Sequence, residues 1–366
     1  MGLAYRSQTS SPPSETHQQN GHNVSCAHYG PTWRLLRRNL TLEILHPSRI
    51  RLYSHARKWA LEILKSRLQC HSEICSGDGS LPLPATQFLA NGGKITVSQA
   101  LGEFLQICKD EEEVLIPLIR GRQRLNHDMQ RKQKQDSNDL SSSSKDYFIS
   151  YVDTLLDLQL PDEKRKLNEG EIVSLCSEFL GAGTDTTSTA LQWIMANLVK
   201  YPHIQVKLFE EIMGVVGVGE KEVKEEDLQK MPYLKAVILE GLRRHPPGHF
   251  VSPHSVTQRC SLRWVYNTQE YYCEFHVAEI GRNQMFGKIQ WSSKPERFLN
   301  KNAILHLEYF VANWWWSFEW KAVEGDEVDL SEKQELSTVM KNPLKAAYLQ
   351  EIEIRLACIF MLALCL

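Results

Sequence analysis

The chain has 366 residues, with 42 Lys and Arg against 44 Asp and Glu, so its net charge of −2 gives no global bias toward nucleic acid or an anionic membrane. A hydrophobic content of 42% with 23% charged residues is that of a folded globular protein. Nine cysteines lie scattered at 26, 70, 75, 108, 176, 260, 273, 358 and 365 without a C-x-x-C pair, which argues against a disulfide framework or a zinc knuckle and fits a reducing compartment.

Residues 1–25 are expected to be disordered: Arg6 to Asn23 is polar, rich in Ser, Gln and His, and has the features of neither a signal peptide nor a membrane anchor. Pro31 suits the first turn of a helix running to Leu40, in which Trp33 and Arg37 share one face. Two readings stay open there, an ordinary basic amphipathic helix with a buried Trp, or an indole and a guanidinium aimed at one anionic group. Helical spacing with basic charges continues from Pro47 to Leu68, and residues 71–99 carry turn signals without a sustained period. Helical spacing returns over 100–134, where the run from Arg120 to Lys134 reads as a solvated face. Asp136 to Lys145, with four consecutive serines, reads as a surface loop. A helix over Asp146–Leu160 and a turn over Pro161–Leu167 follow.

The next helix carries apolar residues at Ile172, Cys176, Phe179, Leu191, Ile194 and Leu198, with Asn168 and Glu171 spaced for a capped start. Its centre, Gly181-Ala182-Gly183-Thr184-Asp185-Thr186-Thr187-Ser188-Thr189, gives up roughly 3–4 kcal/mol of helix propensity. Such a local conflict marks a functional position, where small residues let something approach the backbone. An amphipathic helix from Pro202 to about Met213 comes next. Gly214, Gly217 and Gly219 have the wrong order for a phosphate-binding fingerprint. After a helical turn near Glu225–Lys230, Pro232 opens a helix with Leu234, Ile238 and Leu242 on one side, and Pro246-Pro247-Gly248 stops it. Glu240 and Arg243 are three apart on it and can meet. The apolar tail Leu356–Leu366 is too short to span a bilayer.

Four of these stretches, in this order, resemble the cytochrome P450 family of heme-thiolate monooxygenases: Trp33-x-x-x-Arg37, Ala182-Gly183-Thr184-Asp185-Thr186-Thr187, Glu240-Gly241-Leu242-Arg243 and Lys294-Pro295-Glu296-Arg297-Phe298. The wording around them, Arg244-His245-Pro246-Pro247-Gly248-His249-Phe250 and His306-Leu307-Glu308-Tyr309, is similar to plant endoplasmic-reticulum members near the 89A subfamily. The resemblance implies a mainly α fold with a small β portion, near residues 251–280 and 327–350. It implies heme as cofactor, NADPH-cytochrome P450 reductase as partner and an apolar small-molecule substrate, with no nucleic acid. It gives Asp185 and Thr186 the role of catalytic proton relay, Ala182, Gly183, Trp33, Arg37 and His254 that of cofactor binding, the last three toward the heme propionates, and Glu240, Arg243 and Arg297 a structural triad. Trp314-Trp315-Trp316 would stack in the core.

The resemblance is incomplete. The family's proximal loop, Phe-x-x-Gly-x-Arg-x-Cys-x-Gly, should follow the Pro-Glu-Arg-Phe motif, but Phe298 leads through Leu299-Asn300-Lys301-Asn302-Ala303 directly into a helix. The axial Cys is absent, no metal ligand is assigned, and neither His306 nor Cys273 lies in a loop shaped to replace it. A partial P450 domain is therefore expected over 26–346, shortened near 75–100, out of family at 259–276 and 283–293, and followed by a divergent tail over 347–366. Shifting the codons of Gln269–His276 and Asn283–Ser293 by one base permits family-like words, including a strand through Val277–Arg282, so both stretches read as frameshifts. The family resides at the endoplasmic reticulum membrane. Without its anchor this chain is placed in the cytoplasm or left undetermined. The expectation is a monooxygenase family member inactive in this form, or else a non-catalytic relic or interaction protein on a partial scaffold.

Overall fold

The computed structural model describes residues 22–25, 27, 29–75, 111–135, 149–251, 254–255, 260–262, 265–267, 272–273, 275–283, 292–299, 301, 305–335 and 337–349. The turn-rich stretch after 75, the serine loop, half of Gln269–His276, most of Asn283–Ser293 and the apolar tail lie outside them. The described chain divides into two compact units, one of residues 22–59, 111–135 and 149–184, the other of residues 60–75 and 185–349. Both are built mainly from helices.

In the first unit, helix α1 (Pro31–Asn39) runs into a π-helical turn at Leu40–Ile44, followed by α2 (Pro47–Leu52) and the start of α3 (Ser54–Cys75). Helices α4 (Glu111–Gln135) and α5 (Tyr151–Leu156) and the first half of α6 (Glu169–Lys200) complete it. Leu36, Leu115, Ile119, Leu155, Leu160 and Ile172 form its core. Helix α5 begins with a reciprocal box between Ser150 and Asp153, and Arg122 forks onto the same Asp153 carboxylate at 2.6–2.9 Å. The start of α6 is built the same way. The Glu171 amide donates to Asn168 Oδ1 at 2.9 Å, and the Asn168 amide donates to Glu171 Oε2 at 2.7 Å. Burial alone would raise the Glu171 carboxyl, but bonds from Arg165, Asn168 and His22 outweigh it and bring it down to about 2.

In the second unit, the later half of α6 packs with α7 (Pro202–Val216), α8 (Pro232–Arg244) and α10 (Leu305–Ser317). Their shared core holds Trp193, Leu208, Ile238, Val311, Trp315 and Trp316, all nearly or wholly excluded from solvent. Met231 precedes α8 and offers no capping side chain, so the orphan amides of Tyr233 and Leu234 donate instead to the Glu211 carboxylate of α7, each at 2.8 Å. Asn313, fully buried, holds both the amide and the carbonyl of Val223 at 3.0 Å. The described strands pair two by two and antiparallel: β1 (His254–Ser255) with β4 (Tyr272–Cys273), β2 (Cys260–Leu262) with β3 (Val265–Asn267), β5 (Glu319–Ala322) with β8 (Ala346–Leu349), and β6 (Glu332–Gln334) with β7 (Thr338–Met340).

Three expectations change. Val277–Arg282 is a short helix, α9 (Val277–Gly281), rather than a strand: Ile280 N donates to His276 O and Arg282 N to Ala278 O, both at 3.1 Å. The helix expected over Asp146–Leu160 is only two turns long, because Gln159 bridges back to Lys166 as extended chain. Residues 22–25, the end of the stretch expected to be disordered, make defined contacts. His22 faces Glu171 at 2.7 Å, and the amides of Val24 and Ser25 donate to the Glu178 carboxylate.

Helix packing is closest at Gly241, where an added Cβ would lie 2.7 Å from Ile194 Cγ1, whereas at Gly183 it would meet nothing within 4 Å. Gly241→Ala should therefore destabilise the protein by about 1–3 kcal/mol through overpacking. Gly183→Ala should stabilise it by roughly 0.5–1 kcal/mol through helix propensity. Denaturant unfolding of the two variants beside the parent checks both signs, and equal effects would contradict the packing described.

Candidate functional site

The hydroxyl-rich centre of α6 is the one part of that helix without a buried side chain. From Ser177 to Ser188 every residue is half-buried or exposed, while Ile172 and Val173 before it and Trp193 to Val199 after it are buried. Gly181 and Gly183 both border open space, and Ala182, Gly183 and Thr186 are exposed. The helix stays regular through this stretch, and Ser188 Oγ donates back to the Asp185 carbonyl at 3.1 Å. Asp185 is half-buried and its neighbour Thr186 exposed, so an acid and an alcohol stand side by side on an accessible part of the helix.

The residues Glu240, Arg243 and Arg297 come together. Glu240 is 1% exposed, and Arg243 forks onto it with Nε to Oε2 at 2.8 Å and Nη2 to Oε1 at 2.9 Å. Arg297, in a single 3₁₀ turn at Pro295–Phe298, brings Nε to 3.6 Å from Glu240 Oε1, an ion pair without a hydrogen bond. Two further contacts were not legible in the sequence: the Lys294 amide donates to Glu240 Oε1 at 2.8 Å, and Arg243 Nη1 donates to the Gly281 carbonyl at 2.9 Å. Gly281 itself is tightly placed, since a Cβ there would lie 2.9 Å from the Arg243 carbonyl. Arg243, Arg297 and the Lys294 amide together offset the charge of one buried carboxylate.

Trp33 and Arg37 lie four apart on α1. The half-buried Trp33 indole donates to the Val24 carbonyl at 3.0 Å, and Arg37 is exposed. Of His254 the backbone is described: it lies in β1 opposite Cys273. Sequence reasoning missed a second cluster, where Glu332 of β6 holds His245, His249 and Arg282. The Arg244-His245 pair at a helix end followed by two prolines was the available signal.

The proximal side does not fit a thiolate-ligated heme. Phe298 and Leu305, the first residue of α10, are joined by Leu299, Asn300, Lys301, Asn302, Ala303 and Ile304, without a cysteine, and Lys301 N already turns back onto the Phe298 carbonyl at 3.1 Å. The cysteine side chain that is described, Cys176, sits in the core of the first unit, and burial pushes its thiol up to about 11. A buried thiol held protonated is no iron ligand.

A mainly α fold carrying this oxygen-pocket wording and this Glu–Arg–Arg network defines a P450-type protein. A sequence profile of the cytochrome P450 family matches residues 117–312. Cytochrome P450 89A9 of Arabidopsis thaliana is 38% identical over 417 positions, taking in 92% of this chain and 78% of that protein. The chain belongs to the cytochrome P450 family. Cytochrome P450 98A1 of Sorghum bicolor is 24% identical over 92% of this chain and 77% of its own length. A zebra fish cytochrome P450 solved with abiraterone has the same fold, with a TM-score of 0.66 at 19% identity over 93% of this chain and 88% of that one. Because 417 aligned positions take in 92% of 366 residues, about 80 of them have no counterpart in this chain.

Removing the Glu240 carboxylate strands Arg243. Glu240→Ala should cost about 3–5 kcal/mol. Thermal unfolding followed by circular dichroism checks this, and a loss below 1 kcal/mol, the range of a surface ion pair, would contradict the buried network.

Proposed function

We propose that this chain is a cytochrome P450 monooxygenase family member that is catalytically silent in the form given. The observation that carries the reading is the six-residue passage from Phe298 to Leu305, which leaves no thiolate where the family's iron is held. The distal half supports descent from an active enzyme. Asp185 and Thr186 keep the acid and the alcohol suited to a proton relay, and Gly183, one turn before, borders open space. Trp33, Arg37 and His254 keep the residue types that would meet heme propionates, and Glu240, Arg243 and Arg297 keep the scaffold. In intact relatives the heme activates dioxygen with electrons that come from NADPH through a reductase at the endoplasmic reticulum, and the substrate is an apolar small molecule. Among the described residues no helix is long and apolar enough to cross a membrane.

A second reading, a non-catalytic interaction protein, is favoured by one surface. Between Pro31 and Trp59 there are seven Lys or Arg and a single acid, Glu43, and Arg34, Arg37, Arg38, Arg51 and Lys58 are exposed. Such a face attracts an acidic redox partner without any turnover.

The purified chain, expressed with heme supply, reduced and exposed to carbon monoxide, should give no Soret band at the thiolate-ligated position; such a band would overturn the reading. Binding to NADPH-cytochrome P450 reductase should be retained at low salt and lost at high salt. The triple change Arg34→Glu, Arg37→Glu, Arg38→Glu should weaken it at least about tenfold. Salt-independent binding, or none, would remove the second reading and leave the relic.

A further inference from the structure

The hairpin of β6 and β7 is held to the end of α8 by one carboxylate. Glu332 Oε1 accepts from His245 Nδ1 at 2.7 Å and from Arg282 Nη2, and Oε2 accepts from His249 Nε2 at 2.8 Å. The three donors come from the residue after α8, the residue after α9 and the loop between those helices. The hairpin adds three contacts of its own: Thr338 N donates to the Pro247 carbonyl at 2.6 Å, Trp193 Nε1 donates to the Thr338 carbonyl at 2.7 Å, and the Ser337 and Thr189 hydroxyls meet at 3.1 Å. The Trp193 and His245 rings stack at 3.8 Å and 5°.

The His245 ring has one satisfied nitrogen and one that is not. Nδ1 is committed to Glu332, while Nε2 is buried and has no partner among the described residues. With Nδ1 carrying the proton, Nε2 is a lone pair, and leaving it unpaired is tolerable. A second proton turns it into a charged N–H donor in the same buried place with nothing to receive it, which is far more costly. The charged neighbours do not relieve this. Arg244 and Arg282 stand beside the ring as like charges, and the one acid, Glu332, is already shared with Arg282 and His249. His249 in turn meets the edge of His276, whose Nδ1 faces Glu279 at 3.1 Å, and Lys333 beside Glu332 is paired with Glu335.

We propose that His245, Glu332 and Arg282 form a clasp that opens in acid and frees the β6–β7 hairpin from the end of α8. The direction of the titration agrees with the geometry. Burial holds the His245 imidazole below its ordinary range against the pull of Glu332, so the folded state resists the proton that the unfolded chain accepts. The clasp is therefore complete above the ordinary histidine range and weakens as pH falls through it. Glu332 does not drive the change in that window. Burial would raise its carboxyl, but the bonds from His245 and Arg282 outweigh burial and bring it down to about 2. The clasp is independent of heme, so its failure would leave the functional reading untouched.

Hydrogen exchange of the full chain, read by mass spectrometry at about pH 7.5 and about pH 5.5 and corrected for intrinsic exchange, tests this. Protection over residues 332–340 should fall roughly tenfold or more at the lower pH, while residues 305–317 in α10 keep theirs. His245→Gln, which cannot take the second proton, should abolish the step. A hairpin equally protected at both pH values, a loss spread evenly over α10, or an undiminished step in His245→Gln would each overturn the proposal. If His245→Gln does not fold, the comparison of hairpin and α10 in the parent protein still decides.

Discussion

The Glu240 carboxylate is 1% exposed, and burying that charge is tolerable only because Arg243, the Lys294 amide and Arg297 all converge on it. Arg243 comes with the helix itself, three residues on. The other groups come from more than fifty residues later, so the charge can be buried only when the segment Lys294–Phe298 returns to α8. Arg243 also donates from Nη1 to the Gly281 carbonyl, which draws α9 to the same place. Gly241, on that helix, leaves just enough room for Ile194 to pack against it. The electrostatics of one residue and the missing side chain of its neighbour thus set how α6, α8, α9 and the 3₁₀ turn meet.

Local signals in the sequence were the readable ones. Asn168 and Glu171 specify the start of α6, and Pro232 specifies the start of α8, because capping and proline chemistry act within one turn. The mostly helical fold and the buried tryptophans followed from periodicity and family likeness. What could not be read were bonds between distant segments. Nothing near Trp33 announces that its indole will end on the Val24 carbonyl, and nothing near Glu332 announces His245. Val277–Gly281 was misjudged for another reason. The strand was expected from the re-read codons that precede it, whereas the chain as it stands closes a helical turn there, with Arg282 N donating to the Ala278 carbonyl.

On the reading proposed above, the two halves of the site differ. The centre of α6 carries glycine, acid and hydroxyl residues at a cost in helix propensity. The passage after Phe298 carries no cysteine. The larger unit keeps its core regardless, since Trp193, Trp315, Trp316 and the Glu240 network are satisfied or packed by the chain's own atoms. The residues that hold this unit together are separate from those proposed for the relay.

That separation makes the short passage between Phe298 and Leu305 an engineering position. It joins two elements already fixed by the Glu240 network on one side and by the α10 core on the other. Lengthening a flexible connection about threefold adds on the order of 1 kcal/mol of closure entropy. A cysteine-bearing loop could be grafted between these anchors without rebuilding either, making this scaffold a host in which the proposed ligand and relay are added one part at a time.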